Sequence, residues 1–246
     1  RRYEEQERNS SWGERLTPAY RRMIAGDELT PVSQLSSAFL RPKSPAHLQF
    51  ASFESALVVR YLVDNFGLDT LKRVLNDLAV GMPINESLQR NVGSLAALDS
   101  DFAAYARDYA SSGAPQLDWQ SRPDLALLDL SKLRLWRRAN PHHYESMLLE
   151  ARLAIKANEL DAAEQVLLEL RALYPADREA NGALALLGEL YRKREDADKE
   201  IEVLSELAML NDRALGVYSR LAELQRNAER WQAVYDNAHR YLAVQP

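Results

Sequence analysis

Four histidines (His47, His142, His143 and His239) are the only imidazoles in 246 residues, and there is no cysteine. None stands in the His-Glu-x-x-His spacing that puts two imidazoles on one helical face around zinc. His142 and His143 are adjacent, so on a helix they diverge by about 100° and one metal rarely uses both. Beside Pro141 they read as an ordinary N-terminal turn, while His47 reads as a partly exposed helix residue and His239 as solvent-facing. Lack of cysteine removes disulfides, thiolate metal sites and cysteine nucleophiles. There is no Gly-x-Ser-x-Gly elbow and no phosphate-cradling P-loop. Glu4, Glu5 and Glu7 cluster, and the run from Arg192 to Glu202 alternates in sign; both are the pattern of a solvated helix face. The expectation is a chain with no catalytic residue, no metal ligand and no cofactor of its own.

The elements that would position any site are helices. The chain holds 40 leucines and 34 alanines against only 9 glycines and 10 prolines. Leucine and alanine lose least on entering a helix, and glycine and proline lose most. An all-α fold follows. The net charge of −5 is spread along the chain and gives no footprint for nucleic acid. No apolar run approaches the ~18 residues of a membrane span. The first residues, Arg1-Arg2-Tyr3, lack an initiator methionine and already belong to a charged helical pattern, which suggests a fragment or a processed form.

Two regimes are expected, 1–112 and 143–246, joined by a connector at 113–142. The first is punctuated as five or six short helices with no convincing strand. Thr17-Pro18 and Ser44-Pro45 are N-cap and first-turn pairs, and Ala25-Gly26, Phe66-Gly67 and Gly81 are stops. Asp69 reads as a cap for Leu71, Val74, Leu75 and Leu78, and two last helices are expected at Pro83–Val92 and Asp99–Ala110. The connector carries one expected helix, Pro123 to Arg138, with Leu125, Leu128, Leu133 and Trp136 as its apolar side.

From Tyr144 onward the sequence repeats. Small residues recur as Ala151, Gly188 and Ala222, and further landmarks keep the same spacings: Ala163, Glu200 and Val234; Leu167, Leu204 and Ala238; Pro175, Asp212 and Pro246. A 34-residue helix–turn–helix unit, with three residues inserted between the first two copies, is the tetratricopeptide pattern. About three helix pairs of an α-solenoid are expected. The copies depart from the pattern at Glu150 and Gln225, where apolar residues are usual, at Glu200, where a small one is, and at Asp212 in place of proline.

The first regime resembles the part of peptidase MA-like, gluzincin-type metallopeptidase domains that follows the zinc site. The resemblance rests on Tyr3-Glu4-Glu5 before Trp12-Gly13; Ala25-Gly26 before Leu35 and Phe39; Ser44-Pro45-Ala46; the run from Phe53 to Leu62 with Phe66-Gly67; Gly81 with Asn85-Glu86-Ser87-Leu88; and Gly93 with Leu98-Asp99-Ser100-Asp101-Phe102. It implies that the His-Glu-x-x-His helix and the third ligand, a glutamate, lie before residue 1, so that none of the zinc ligands is in this chain. Related enzymes often use a tyrosine where this sequence reads Phe50-Ala51-Ser52-Phe53. The resemblance implies two readings of function. In the first the chain is a protein- or peptide-binding scaffold, the repeat-bearing part of a larger metallopeptidase-like protein and not itself catalytic. In the second it is part of an active zinc metallopeptidase whose site lies upstream.

In a tetratricopeptide array the concave wall is lined by the first helix of each pair, one residue after the small landmark and about a turn later. Those positions are Arg152, Ile155 and Lys156; Glu189, Arg192 and Lys193; and Glu223, Arg226 and Asn227. The expected peptide-binding residues are therefore Arg152, Lys156, Arg192, Lys193, Arg226 and Asn227. Their cations form a row, interrupted by Glu189 and Glu223, that suits an acidic peptide. Cations late in a helix also suit its dipole, which explains the same residues without a ligand.

Overall fold

A computed structural model describes residues 15–211 and 214–244. Tyr3-Glu4-Glu5, Glu7, Trp12-Gly13, Asp212 and Pro246 lie outside the described residues. Thirteen α-helices and no strand are present among those described, and the chain divides into two units at 112/113. No helix among them is long and apolar enough to cross a membrane.

The first unit packs α1 (Pro18–Ala25), α2 (Leu35–Leu40), α3 (Pro45–Phe66), α4 (Leu68–Ala79), α5 (Ile84–Asn91) and α6 (Leu95–Ser111). Thr17 and Ser44 accept backbone N–H groups in the first turns of α1 and α3. The 22 residues of α3 supply much of the core, with Phe50, Phe53, Leu57, Val58, Tyr61 and Leu62 buried against Ile24, Val74, Leu88, Leu98 and Phe102. Arg21 is buried and donates to the Ala110 and Ser112 carbonyls, a cation on the C-terminal end of α6. Two expected boundaries move. Asp69 does not cap α4; Gly67, at φ 81°, opens it directly from α3, and Asp69 pairs with Lys72 one turn on. α6 begins at Leu95 rather than Asp99, because Ser94 accepts the Ala97 N–H.

The second unit contains α7 (Leu130–Ala139), α8 (Tyr144–Lys156), α9 (Leu160–Leu173), α10 (Ala183–Lys193), α11 (Ala197–Leu210), α12 (Leu215–Asn227) and α13 (Trp231–Val244). The single connector helix expected over Pro123–Arg138 is split. Pro123–Leu127 forms a 3₁₀ turn, and Asp129 restarts the chain by accepting the Lys132 N–H at the head of α7. The cap outcompetes the apolar spacing that joins Leu125 to Leu133. Residues 113–143 pack into the core of this unit: Trp119 lies 4.6 Å from the Tyr144 ring and 5.4 Å from that of Tyr174. His143 also does more than turn the chain. Its buried ring accepts the Ser146 N–H at Nδ1, and its Nε2 lies 2.8 Å from the Gln120 carbonyl oxygen, so the ring caps α8 while donating to the connector.

α8–α9, α10–α11 and α12–α13 each reverse through three residues and pack side by side. The turns share one geometry. Asn158, Glu195 and Glu229 adopt left-handed backbone at φ 61°, 58° and 56°, spaced 37 and 34 residues apart. After each, the next N–H returns to the helix: Glu159 to Ala154, Asp196 to Tyr191 and Arg230 to Gln225, at 2.8–3.0 Å. Left-handed backbone strains a residue bearing Cβ by about 1–2 kcal/mol, partly offset by glycine's greater unfolded freedom. Glu229→Gly is therefore expected to stabilise the second unit by roughly 0.5–1 kcal/mol, read as a rise in its denaturation midpoint. Within the second pair the helices touch at Gly188, where an added Cβ would lie 2.8 Å from Leu204 Cδ2.

Candidate functional site

The departures from the repeat at Glu150, Glu200 and Gln225 are each answered by a polar partner. Glu150 is buried and receives Arg134 and Arg137 from α7. Gln225 Oε1 accepts from Asn237 Nδ2 at 2.8 Å, both side chains buried between α12 and α13. Glu200, 1% exposed, sits where the first pair has Ala163. Arg220 grips it with two bonds, Nε to Oε1 at 2.8 Å and Nη2 to Oε2 at 2.9 Å, and Arg192 Nε adds a third at 3.1 Å. Burial alone would push this carboxyl up; the bonds from Arg220 and Arg192 outweigh it and hold the group below its ordinary range. The same contacts keep Arg220 firmly protonated, with its remaining Nη1 on Glu223.

This ion pair borders a cleft of about 450 Å³ formed by α10, α11 and α12. Ala185, Leu204, Leu207 and Val217 line it with aliphatic surface, and Arg192 and Arg220 supply cations. Gly216 also lines the cleft, and nothing stands within 4 Å of where its Cβ would be. Arg192 is half exposed, and among the described residues only its Nε is engaged, so both terminal nitrogens remain for a ligand.

The expected row is only partly assembled. Arg192 lines the cleft, but Arg152 donates to the Asn181 carbonyl and Lys193 to the Ile155 carbonyl at the end of α8. Ile155 itself is core. Lys156, Arg226 and Asn227 are exposed away from the cleft lining, and Lys156 and Arg226 form no ion pair among the described residues. Arg220 falls outside the expected row because it precedes the small landmark Ala222 by two residues rather than following it. The signal that could have found it was Glu200, a carboxylate at a buried position that demands a cation nearby.

In the first unit a cleft of about 330 Å³ lies over Phe50 and Glu54, with Glu28, Arg41, Lys43 and His47 about it. His47 bridges Ser44 Oγ and Glu28 Oε2, each at 2.8 Å. Glu54 is buried, accepts the Thr30 N–H, and is pushed up to about 7 by burial, against the lowering effect of Thr30 and His47. The chain brings no three His, Asp or Glu side chains together as a metal site among the described residues. His142 stands 3.9 Å from Glu169, and His239 packs on the Tyr235 ring.

No protein family, no curated protein and no solved structure matches this chain.

Proposed function

We propose that the chain is a peptide-binding scaffold whose second unit, a set of tetratricopeptide-type helix pairs, takes an acidic peptide segment in the α10–α12 cleft. In this reading the first unit supports the repeats and is the remainder of a peptidase MA-like domain whose zinc-binding helices precede residue 1. The observation that carries the peptide reading is the cleft itself: aliphatic walls next to the terminal nitrogens of Arg192, which are uncommitted among the described residues. That combination suits a carboxylate beside a leucine- or valine-sized side chain, held by charge-assisted hydrogen bonds.

The test is fluorescence anisotropy with a labelled peptide alternating leucine and glutamate, against one alternating leucine and lysine. The acidic peptide is expected to bind and the basic one not. A hydrogen bond to a charged group contributes about 1.5–3 kcal/mol, so Arg192→Ala should weaken binding about tenfold or more. Lys156→Ala and Arg226→Ala should change it less than about twofold, since both lie off the cleft and act only through screened charge. Equal binding of the two peptides, or a loss confined to the Lys156 and Arg226 variants, would sink the assignment of the cleft.

A further inference from the structure

Of the three helix pairs, the second joins a cation in its first helix to a carboxylate in its second. Shifted by one repeat, Arg192 corresponds to Ile155 and Arg226, and Glu200 to Ala163 and Val234. The first copy is apolar at both positions, with Ile155 and Ala163 buried. The third keeps the cation without the carboxylate, and Arg226 stands exposed with no ion pair among the described residues. The α10–α12 cleft lies against the copy that holds both. There Glu200 of α11 ties Arg192 of α10 to Arg220 of α12, so one carboxylate links the three helices that form the cleft.

The charges of this cluster cancel, Arg192 and Arg220 against Glu200 and Glu223. Every side-chain nitrogen of Arg220 is engaged: Nε and Nη2 by Glu200, and Nη1 by Glu223. Among the described residues, the cation edge left to a ligand is therefore Nη1 and Nη2 of Arg192, whose Nε is held by Glu200. Two terminal nitrogens match the two oxygens of one carboxylate. A phosphate monoester carries nearly two charges and three acceptor oxygens, and calls for a second cation. Glu200 already occupies that cation. The extra charge would also stand near the Glu200 carboxylate, which is 1% exposed and little screened by salt. We propose that Glu200 is the specificity-determining residue of the cleft: by occupying Arg220 it restricts the ligand to a singly charged carboxylate and excludes a phosphorylated segment. The inference rests on the peptide reading of this cleft and narrows its ligand.

Fluorescence anisotropy of the full chain at about pH 8, where phosphoserine is a dianion, reads the choice. Two labelled peptides differ at one position, a glutamate or a phosphoserine between two leucines. Wild type should bind the glutamate peptide about threefold more tightly, the effect of one unit charge at roughly 6 Å in water. Glu200→Gln removes the charge, keeps an acceptor for Arg192 and releases part of Arg220. It should strengthen the glutamate peptide about threefold and the phosphoserine peptide about thirtyfold, one factor of about three per ligand charge and another from the released Arg220. The preference then reverses. Glu223→Gln alters a half-exposed side chain and should move the ratio the same way, by less. A purely structural Glu200 would weaken both peptides alike in the Gln variant and leave their ratio unchanged, which would overturn the proposal. So would a wild-type chain that binds the phosphoserine peptide as tightly as the glutamate one. If the glutamate peptide does not bind wild type at all, the peptide reading falls and this inference with it.

Discussion

Arg220→Met is expected to destabilise the second unit by about 3–5 kcal/mol, the usual cost of stripping the partner from a buried charge. The change leaves the Glu200 carboxylate 1% exposed with only the single bond from Arg192. Adding Glu200→Ala to Arg220→Met should recover most of the loss. The double variant restores the small residue that the first pair carries as Ala163, fully buried there, and removes the charge that needed an answer. Urea denaturation followed by tryptophan fluorescence reads this, since three of the four tryptophans, Trp119, Trp136 and Trp231, lie in the second unit, and Trp12→Phe removes the fourth. A double variant no more stable than the single one would show that Glu200 contributes by more than its pairing with Arg220. The pH dependence has a definite sign. Glu200 is held below its ordinary range, so its contribution is present above about pH 4.5 and is lost as pH falls through the lowered value.

Glu54 in the first unit works in the opposite direction. Its folded value of about 7 lies above the ordinary 4.5, so the folded state binds a proton that the unfolded state has released. The first unit should lose stability as pH rises from about 4.5 to about 7, by up to roughly 3 kcal/mol, and stay at that lower level above. Glu54→Gln keeps an oxygen for the Thr30 N–H and carries no charge. It should abolish this slope and make the first unit more stable than wild type at pH 8, with little difference at pH 4.5. Hydrogen exchange of the α3 amides, corrected for the intrinsic pH dependence of exchange, distinguishes this unit from the second. A wild-type first unit whose stability climbs between pH 5 and 7 would contradict the buried-carboxyl account.

The sequence displayed local instructions well. Thr17-Pro18 and Ser44-Pro45 announce helix starts because the capping oxygen and the fixed proline φ act within one turn. Ala151, Gly188 and Ala222 betray the repeat because close helix contact favours a small side chain there, as the Gly188–Leu204 approach illustrates. What stayed hidden is non-local. Glu150, Glu200 and Gln225 stand out in sequence as departures, but Arg134, Arg137 and Asn237 are 12–16 positions away from the groups they satisfy, and Arg220 is 20 positions from Glu200. No helical periodicity points to them. Spacing places side chains on a face but does not tell that Arg152 and Lys193 donate to the Asn181 and Ile155 carbonyls while Arg192 lines the cleft. The split of the connector helix was hidden as well, because the apolar spacing from Leu125 to Leu133 runs straight across the Asp129 cap.

The central claim is that the α10–α12 cleft receives a carboxylate-bearing peptide. Hydrogen–deuterium exchange of the intact chain, with and without the saturating leucine–glutamate peptide, locates the contact most directly. Slowed exchange is expected in segments covering residues 183–193, 204–207 and 214–220, and no change in the first unit. Protection confined to the Glu54 cleft, or to the ends of α8 and α12 around Lys156 and Arg226, would contradict it.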